Sequence, residues 1–180
     1  MLAYVFSHRP APGADIAAYE NSLRRFHVEL ASASLDGFIA SNTFSVGAGY
    51  SDWYLLENSS AMDVLNAAAV SGSRALAHDS AARVAVEGVG KLLSLASGSP
   101  WFEAGFEVRF GKPAGMPYAP FYASLKSRLE EPGVSLWRRM MVLGPPPEFC
   151  LLSPSRLELP QEMHAEVLRR TPIDLGSFEG

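Results

Sequence analysis

Seven side chains in two separate stretches of the chain have types suited to moving protons and holding an anion: Tyr4, His8, Ser41, Thr43, Glu107, Arg109 and Arg138. An imidazole and a carboxylate trade protons near neutral pH, and a guanidinium grips a planar anionic group through paired hydrogen bonds. On this reading His8 or Glu107 is the base, and Arg109 or Arg138 steadies the enolate-like anion left when a proton departs from carbon. Tyr4, Ser41, Thr43 and Arg138 would contact the ligand. These groups act together only if they share one wall. Tyr4, Phe6 and His8 alternate along a strand-like stretch, as do Glu107 and Arg109 along another, so each set lies on one face of its strand. Buried charges need partners, and Glu107 is expected to pair with Arg109 directly or through Arg138. A register error of one residue would turn every one of these side chains to the opposite face.

The remaining chemistry-bearing residues offer less. His78 shares a predicted helix face with Arg74 four residues earlier, in a segment present in one half of the chain only, so it is a candidate lid or ligand contact. His27, beside Phe26, is expected at a packing boundary, and His164 is expected on a final helix among Met163, Val167 and Leu168. No set of histidines and carboxylates has metal-ligand spacing, so no metal site is assigned. A G-x-S-x-G elbow is absent, and neither Gly47-Ala48-Gly49 nor Gly88-Val89-Gly90 opens onto a helix as a phosphate cradle requires. Trp53, Trp101 and Trp137 read as core or interface. Cys150, the only cysteine, reads as inert packing and excludes an internal disulfide.

The elements that must position these groups occur twice. Tyr4 to Pro10 reads as a strand leading into a helix with Ile16, Tyr19, Leu23, Phe26 and Leu30 on one face. About a hundred residues later Glu107 to Pro113 leads into a second helix carrying Tyr118, Phe121, Leu125 and Leu129. Two strands follow in each half, Phe38 to Val46 with Ser51 to Glu57, then Val134 to Leu143 with Glu148 to Ser153. Ser60 to Asp63 resembles a capping box and opens the next helix of the first half. The matching helix of the second half is predicted from about Pro160 to Arg170, with a short last strand from Ile173 to Phe178. An extra helical segment spans Arg74 to Glu87, and Leu92 to Leu95 reads as a fourth strand. The chain therefore divides into a first half, 1–99, with an insert near 74–88, and a second half, 100–180.

The order βαββαβ, repeated, is that of a ferredoxin-like unit, whose helices cover one face of an antiparallel sheet and leave the other bare. Pressing the two bare faces together buries both. In this arrangement the chain resembles the dimeric α+β barrel superfamily, in a tandem form where one chain supplies both halves. The resemblance implies an α+β barrel with a small-molecule pocket between the sheets, in a superfamily of cofactor-free monooxygenases, isomerases and haem proteins resembling chlorite dismutase. A small-molecule-binding protein is the favoured reading, a cofactor-independent oxygenase or isomerase if it is an enzyme, and no cofactor is assigned. Haem is the further alternative, and it would need one of four histidines as axial ligand. A second alternative is a non-catalytic binding or assembly protein with a filled barrel, whose outer surface joins subunits into a homo-oligomer. With the first strand aligned as Ala3, Val5, Ser7 on Phe106, Val108, Phe110, the inner wall carries Tyr4, Phe6, His8, Glu107 and Arg109. Matching Val46 to Leu143 adds Ile39, Ser41, Thr43, Leu136, Arg138 and Met140. The expected ligand is compact, partly aromatic and anionic.

Composition narrows the partners. A formal charge of -4 with acidic and basic residues interspersed argues against nucleic acid. No segment reaches the length of a bilayer span, and a basic signal-like start is missing, so a soluble cytoplasmic protein is expected.

Overall fold

The computed structural model describes residues 1–100, 103–141 and 143–175. The first half contributes β1 (Leu2–Pro10), α1 (Ile16–Ala31), β2 (Phe38–Val46), β3 (Gly49–Leu56), α2 (Ser60–Ala69), α3 (Gly72–Ala82) and β4 (Ala85–Ser97). The second contributes β5 (Phe106–Phe110), α4 (Tyr118–Leu129), β6 (Ser135–Arg139), β7 (Phe149–Ser153) and β8 (Glu166–Pro172). Hydrogen-bonded neighbours run β1-β3-β2-β8-β5-β7-β6-β4 and close into a barrel. Each half thus forms a ferredoxin-like sheet in which its first strand sits between its third and fourth. The halves join along both edges, β2 to β8 at Phe44 to Pro172 and β4 to β6 at Leu93 to Arg139. Full closure removes the edge strands that two separate sheets would expose.

Local chemistry accounts for most boundaries. Asp15 caps α1 by accepting from the Ala18 amide at 3.1 Å. At α2 the expected capping box is not used; Asn58 Oδ1 accepts from the Ala61 amide instead. The predicted helix after Pro160 is a correction. Only Gln161–Met163 form a 3-10 turn, which stops at His164 in the left-handed region (φ 47°), and the chain then extends as β8. Met163 and Val167 match helical spacing, but Leu168 and Arg170 alternate with Val167 and Arg169, and pairing with both β5 and β2 decides the outcome. The expected last strand from Ile173 is likewise not formed in its described part, and 176–178 lie outside the described residues. In the first half the insert is helical to Ala82, and β4 begins at Ala85, well before the expected Leu92.

The barrel interior is packed. Ala3, Val5, Phe44, Val46, Trp53, Leu55, Leu93, Trp137 and Leu152 form one buried cluster inside it. Trp53 from the first half meets Trp137 from the second edge to face, ring centroids 5.5 Å apart. Trp101 lies outside the described residues. On the outside, α4 packs Phe121 and Leu125 on Val108, Phe110, Leu136 and Phe149, while α1, α2 and α3 roof the first half. Among the described residues no helix is long and apolar enough to cross a membrane.

Candidate functional site

Of the seven side chains expected on the inner wall, five, Tyr4, His8, Ser41, Thr43 and Arg138, face the other way. Ala3 and Val5 point into the barrel, and Tyr4, Phe6 and His8 lie beneath the helices, lining a cavity of about 310 Å³. Ser41 and Thr43 also face the helices: the Ser41 hydroxyl is hydrogen-bonded to His27 of α1, and Thr43 donates to Asp52. Arg138 is on the outer side of the second half, over the Tyr118 ring at 4.3 Å and bonded to Glu148 at 2.8 Å. Leu136 packs under α4. Glu107 and Arg109 are inside the barrel as expected and pair directly at 2.6 Å. The structure therefore separates the expected wall into three places. It brings together Tyr4, His8, Ser41, Thr43 and His78, and it sets Glu107 with Arg109, and Arg138, apart from them.

The physical reason for the reversal is the pocket itself. A strand face covered by helices is normally apolar, as Val108 and Phe110 are in the second half. In the first half that face is aromatic and polar because it walls a cavity, so aligning apolar residues of the two halves shifted the first by one position. Space for these rings comes from β4. A Cβ on Gly88 would sit 2.6 Å from the Phe6 ring, and one on Gly90 would sit 2.7 Å from the Tyr4 hydroxyl. Bare glycine lets both aromatic side chains lie across the neighbouring strand.

At the floor of the cavity a polar chain runs through the first half. The Tyr19 hydroxyl of α1 is hydrogen-bonded to His8 Nδ1. His8 Nε2 is 3.2 Å from Asp52 Oδ2, and His27 Nε2 is 3.6 Å from Asp52 Oδ1. Thr43 donates to Oδ1 at 2.7 Å, and His27 Nδ1 meets the Ser41 hydroxyl at 2.7 Å. All six side chains are buried. Stacking fixes the imidazoles: His8 lies between Phe6 and Tyr50, and His27 against Tyr54. Burial opposes the charge on Asp52, yet bonding from His27 and His8 outweighs it and holds the carboxyl well below the usual carboxylate range. Burial, with Asp52 nearby, pushes the Tyr19 phenol up and keeps it protonated. Tyr50 is pushed up to about 12 by burial and by its bond to Glu20.

Three members of this chain escaped sequence reasoning. Asp52 was the legible one: a lone carboxylate in the apolar strand Tyr50 to Leu56, whose burial demands partners. Tyr19 and His27 looked like ordinary packing because both sit on the buried face of α1. His164, expected on a helix, is exposed after the 3-10 turn. His78 of α3 lines the cavity, packs on Phe26 at 5.6 Å, and pairs with Asp79 through Nδ1. Lysine and arginine are missing from the cavity lining, so the expected guanidinium clamp for an anion is not there.

The residues do not fit haem. His8 and His27 have both ring nitrogens turned to Tyr19, Ser41 or Asp52. The cavity is at the small end of ligand sites, below what a porphyrin needs, and offers no cation for its propionates. Among the described residues no group of histidine, cysteine and carboxylate side chains could hold a metal ion.

No protein-family model and no curated protein sequence matches the chain. Solved structures do resemble it. One, a protein provisionally assigned as a chlorite dismutase, aligns with a TM-score of 0.58 at 15% identity, covering 97% of this chain and 95% of the other. Another, provisionally assigned as a monooxygenase from Lactobacillus acidophilus NCFM, aligns with a TM-score of 0.52 at 10% identity, covering 94% and 76%. With its closed eight-stranded sheet and ferredoxin-like strand order in both halves, the chain has the dimeric α+β barrel fold in its tandem form.

Proposed function

We propose that the cavity beneath α1, α2 and α3 binds a compact, largely apolar aromatic molecule and removes a proton from it without a cofactor. One observation carries this reading: His8 stands in the cavity wall between a tyrosine hydroxyl and a buried, ionised carboxylate. Asp52 favours the tautomer with the proton on Nε2, which leaves Nδ1 as acceptor for the Tyr19 hydroxyl. As a carbon or hydroxyl proton of the substrate passes to the Tyr19 oxygen, the Tyr19 proton passes to Nδ1. The imidazolium so formed faces Asp52, and the phenol never becomes a free phenolate. Tyr4 and Asn66 line the same cavity and are the donors available to the oxyanion of the product. Reprotonation elsewhere gives an isomerase; capture of the carbanion by dioxygen gives an oxygenase, in keeping with the neighbour assigned as a monooxygenase.

The test is deuterium exchange at the acidic carbon of 2-tetralone in D2O, followed by NMR. The wild-type chain should exceed the buffer rate, and Tyr19→Phe and His8→Gln should each lower exchange by at least about 100-fold, the range for loss of general base catalysis. Ala69→Trp, which fills the cavity, should abolish both exchange and competition by 2-naphthol. Exchange at the buffer rate with 2-naphthol still bound would leave a binding protein without this chemistry, the reading that a packed barrel interior favours.

A further inference from the structure

A second polar cluster sits inside the barrel, apart from the cavity under the helices. Lys91 of β4 pairs across the sheet with Val5, an interior residue, and so turns inward. With Glu107, Arg109, Ser7, Cys150, Pro147 and Phe149 it lines a hollow of about 20 Å³. Among the described residues its ammonium has one acceptor, the Pro147 carbonyl at a long 3.5 Å. Among the same residues the Arg109 guanidinium is hydrogen-bonded through Nε alone, toward Glu107. Arg139 bonds the Gly144 carbonyl and Glu166 is paired in register with Arg109. Leaving aside Arg170, which reaches Glu107 at 4.0 Å and has further contacts, Lys91, Arg109 and Arg139 outnumber Glu107 and Glu166. Burial first, and then the Arg109 and Arg139 charges, draw the Lys91 ammonium below its ordinary value against the opposing pull of Glu107. Lys91 and Arg109 are only partly buried, so solvent screens the repulsion between them in part, and the carbonyls nearby are neutral.

We propose that this hollow holds one monatomic anion, a halide, bound between Lys91 and Arg109. Its volume admits a single particle of about the size of a water molecule, which excludes phosphate and carboxylate ligands. Water would satisfy the spare donors and leave the charge uncompensated, whereas a halide does both. The site ties β4 of the first half to β5 of the second, so its occupancy strengthens the barrel.

The test compares thermal unfolding in sodium chloride and sodium bromide with sodium gluconate at equal ionic strength, gluconate being too large to enter. The midpoint should rise saturably, by several degrees, in either halide but not in gluconate. Lys91→Met should abolish that difference, and Lys126→Met, on the exposed face of α4, should retain it. A bromide-soaked crystal should give an anomalous peak between Lys91 and Arg109. Equal midpoints in halide and gluconate, a halide effect surviving Lys91→Met, or a peak-free hollow holding only water would each overturn the proposal.

Discussion

Asp52 is the residue on which the first half turns, since it is 4% exposed and its carboxylate is approached by two imidazoles, a threonine and a tyrosine. Replacing it with asparagine removes the charge and leaves His8 and His27 facing an amide. Breaking one partner out of a buried ionic cluster costs about 3 kcal/mol, and Asp52→Asn should lower stability in urea by that order at pH 7. The pH dependence has a definite sign. The folded-state value lies below that of an unfolded aspartate, about 3.9, so the stabilisation is present above roughly pH 4 and is lost as pH falls toward the folded value. The wild-type and Asp52→Asn stabilities should therefore converge between about pH 5 and pH 2; a constant gap across that range would show that Asp52 acts through shape rather than charge. The same residue shows where sequence reasoning stops. A buried aspartate in an apolar strand is visible as a demand for partners, but which helix residues answer it depends on how α1 settles on the sheet, and spacing along the chain does not encode that.

At the scale of elements, β1, β3 and β4 make the cavity floor and the three helices make its roof. The element order of the first half was legible because helical and strand periods are distinct there. The last helix was not, since a seven-residue segment with Val167, Leu168 and Arg170 satisfies either period and only its barrel neighbours select the strand. The inner and outer faces of β1 were misassigned for a related reason: a functional wall breaks the apolar pattern that parity depends on. Gly90 gives a way to test that wall without disturbing the barrel. Alanine there is acceptable to a strand, and its entropic advantage over glycine, about 0.5–1 kcal/mol, offsets crowding. The added Cβ meets the end of a flexible tyrosine side chain rather than backbone. Gly90→Ala should thus displace the Tyr4 phenol and weaken 2-naphthol binding about tenfold, the equivalent of 1.4 kcal/mol, with a thermal midpoint within about 4 °C of wild type. A binding curve unchanged by this variant would place the ligand elsewhere than beside Tyr4.

For the molecule as a whole, the question is what makes two ferredoxin-like halves one folding unit. Each half alone exposes a broad apolar sheet face, and a domain of that size buries too little surface to be more than marginally stable. Closure buries both faces and pairs all four edges, with Trp53 and Trp137 meeting where the halves face each other. Because one indole comes from β3 and the other from β6, their contact exists only in the closed barrel. Trp53→Leu and Trp137→Leu each remove buried ring atoms and leave a void, for about 2 kcal/mol apiece. Edge-to-face aromatic pairs contribute about 0.5–1.5 kcal/mol beyond burial, so the double variant should lose less than the sum of the two single losses by about that amount. Urea unfolding of all four proteins, read by the near-ultraviolet signal of the tryptophans and by backbone circular dichroism together, checks the point. Coincident single transitions with this coupling are expected if closure and folding are the same event. Strict additivity, or two separated transitions in the wild-type chain, would mean that each half folds on its own and the barrel interior is a later docking surface.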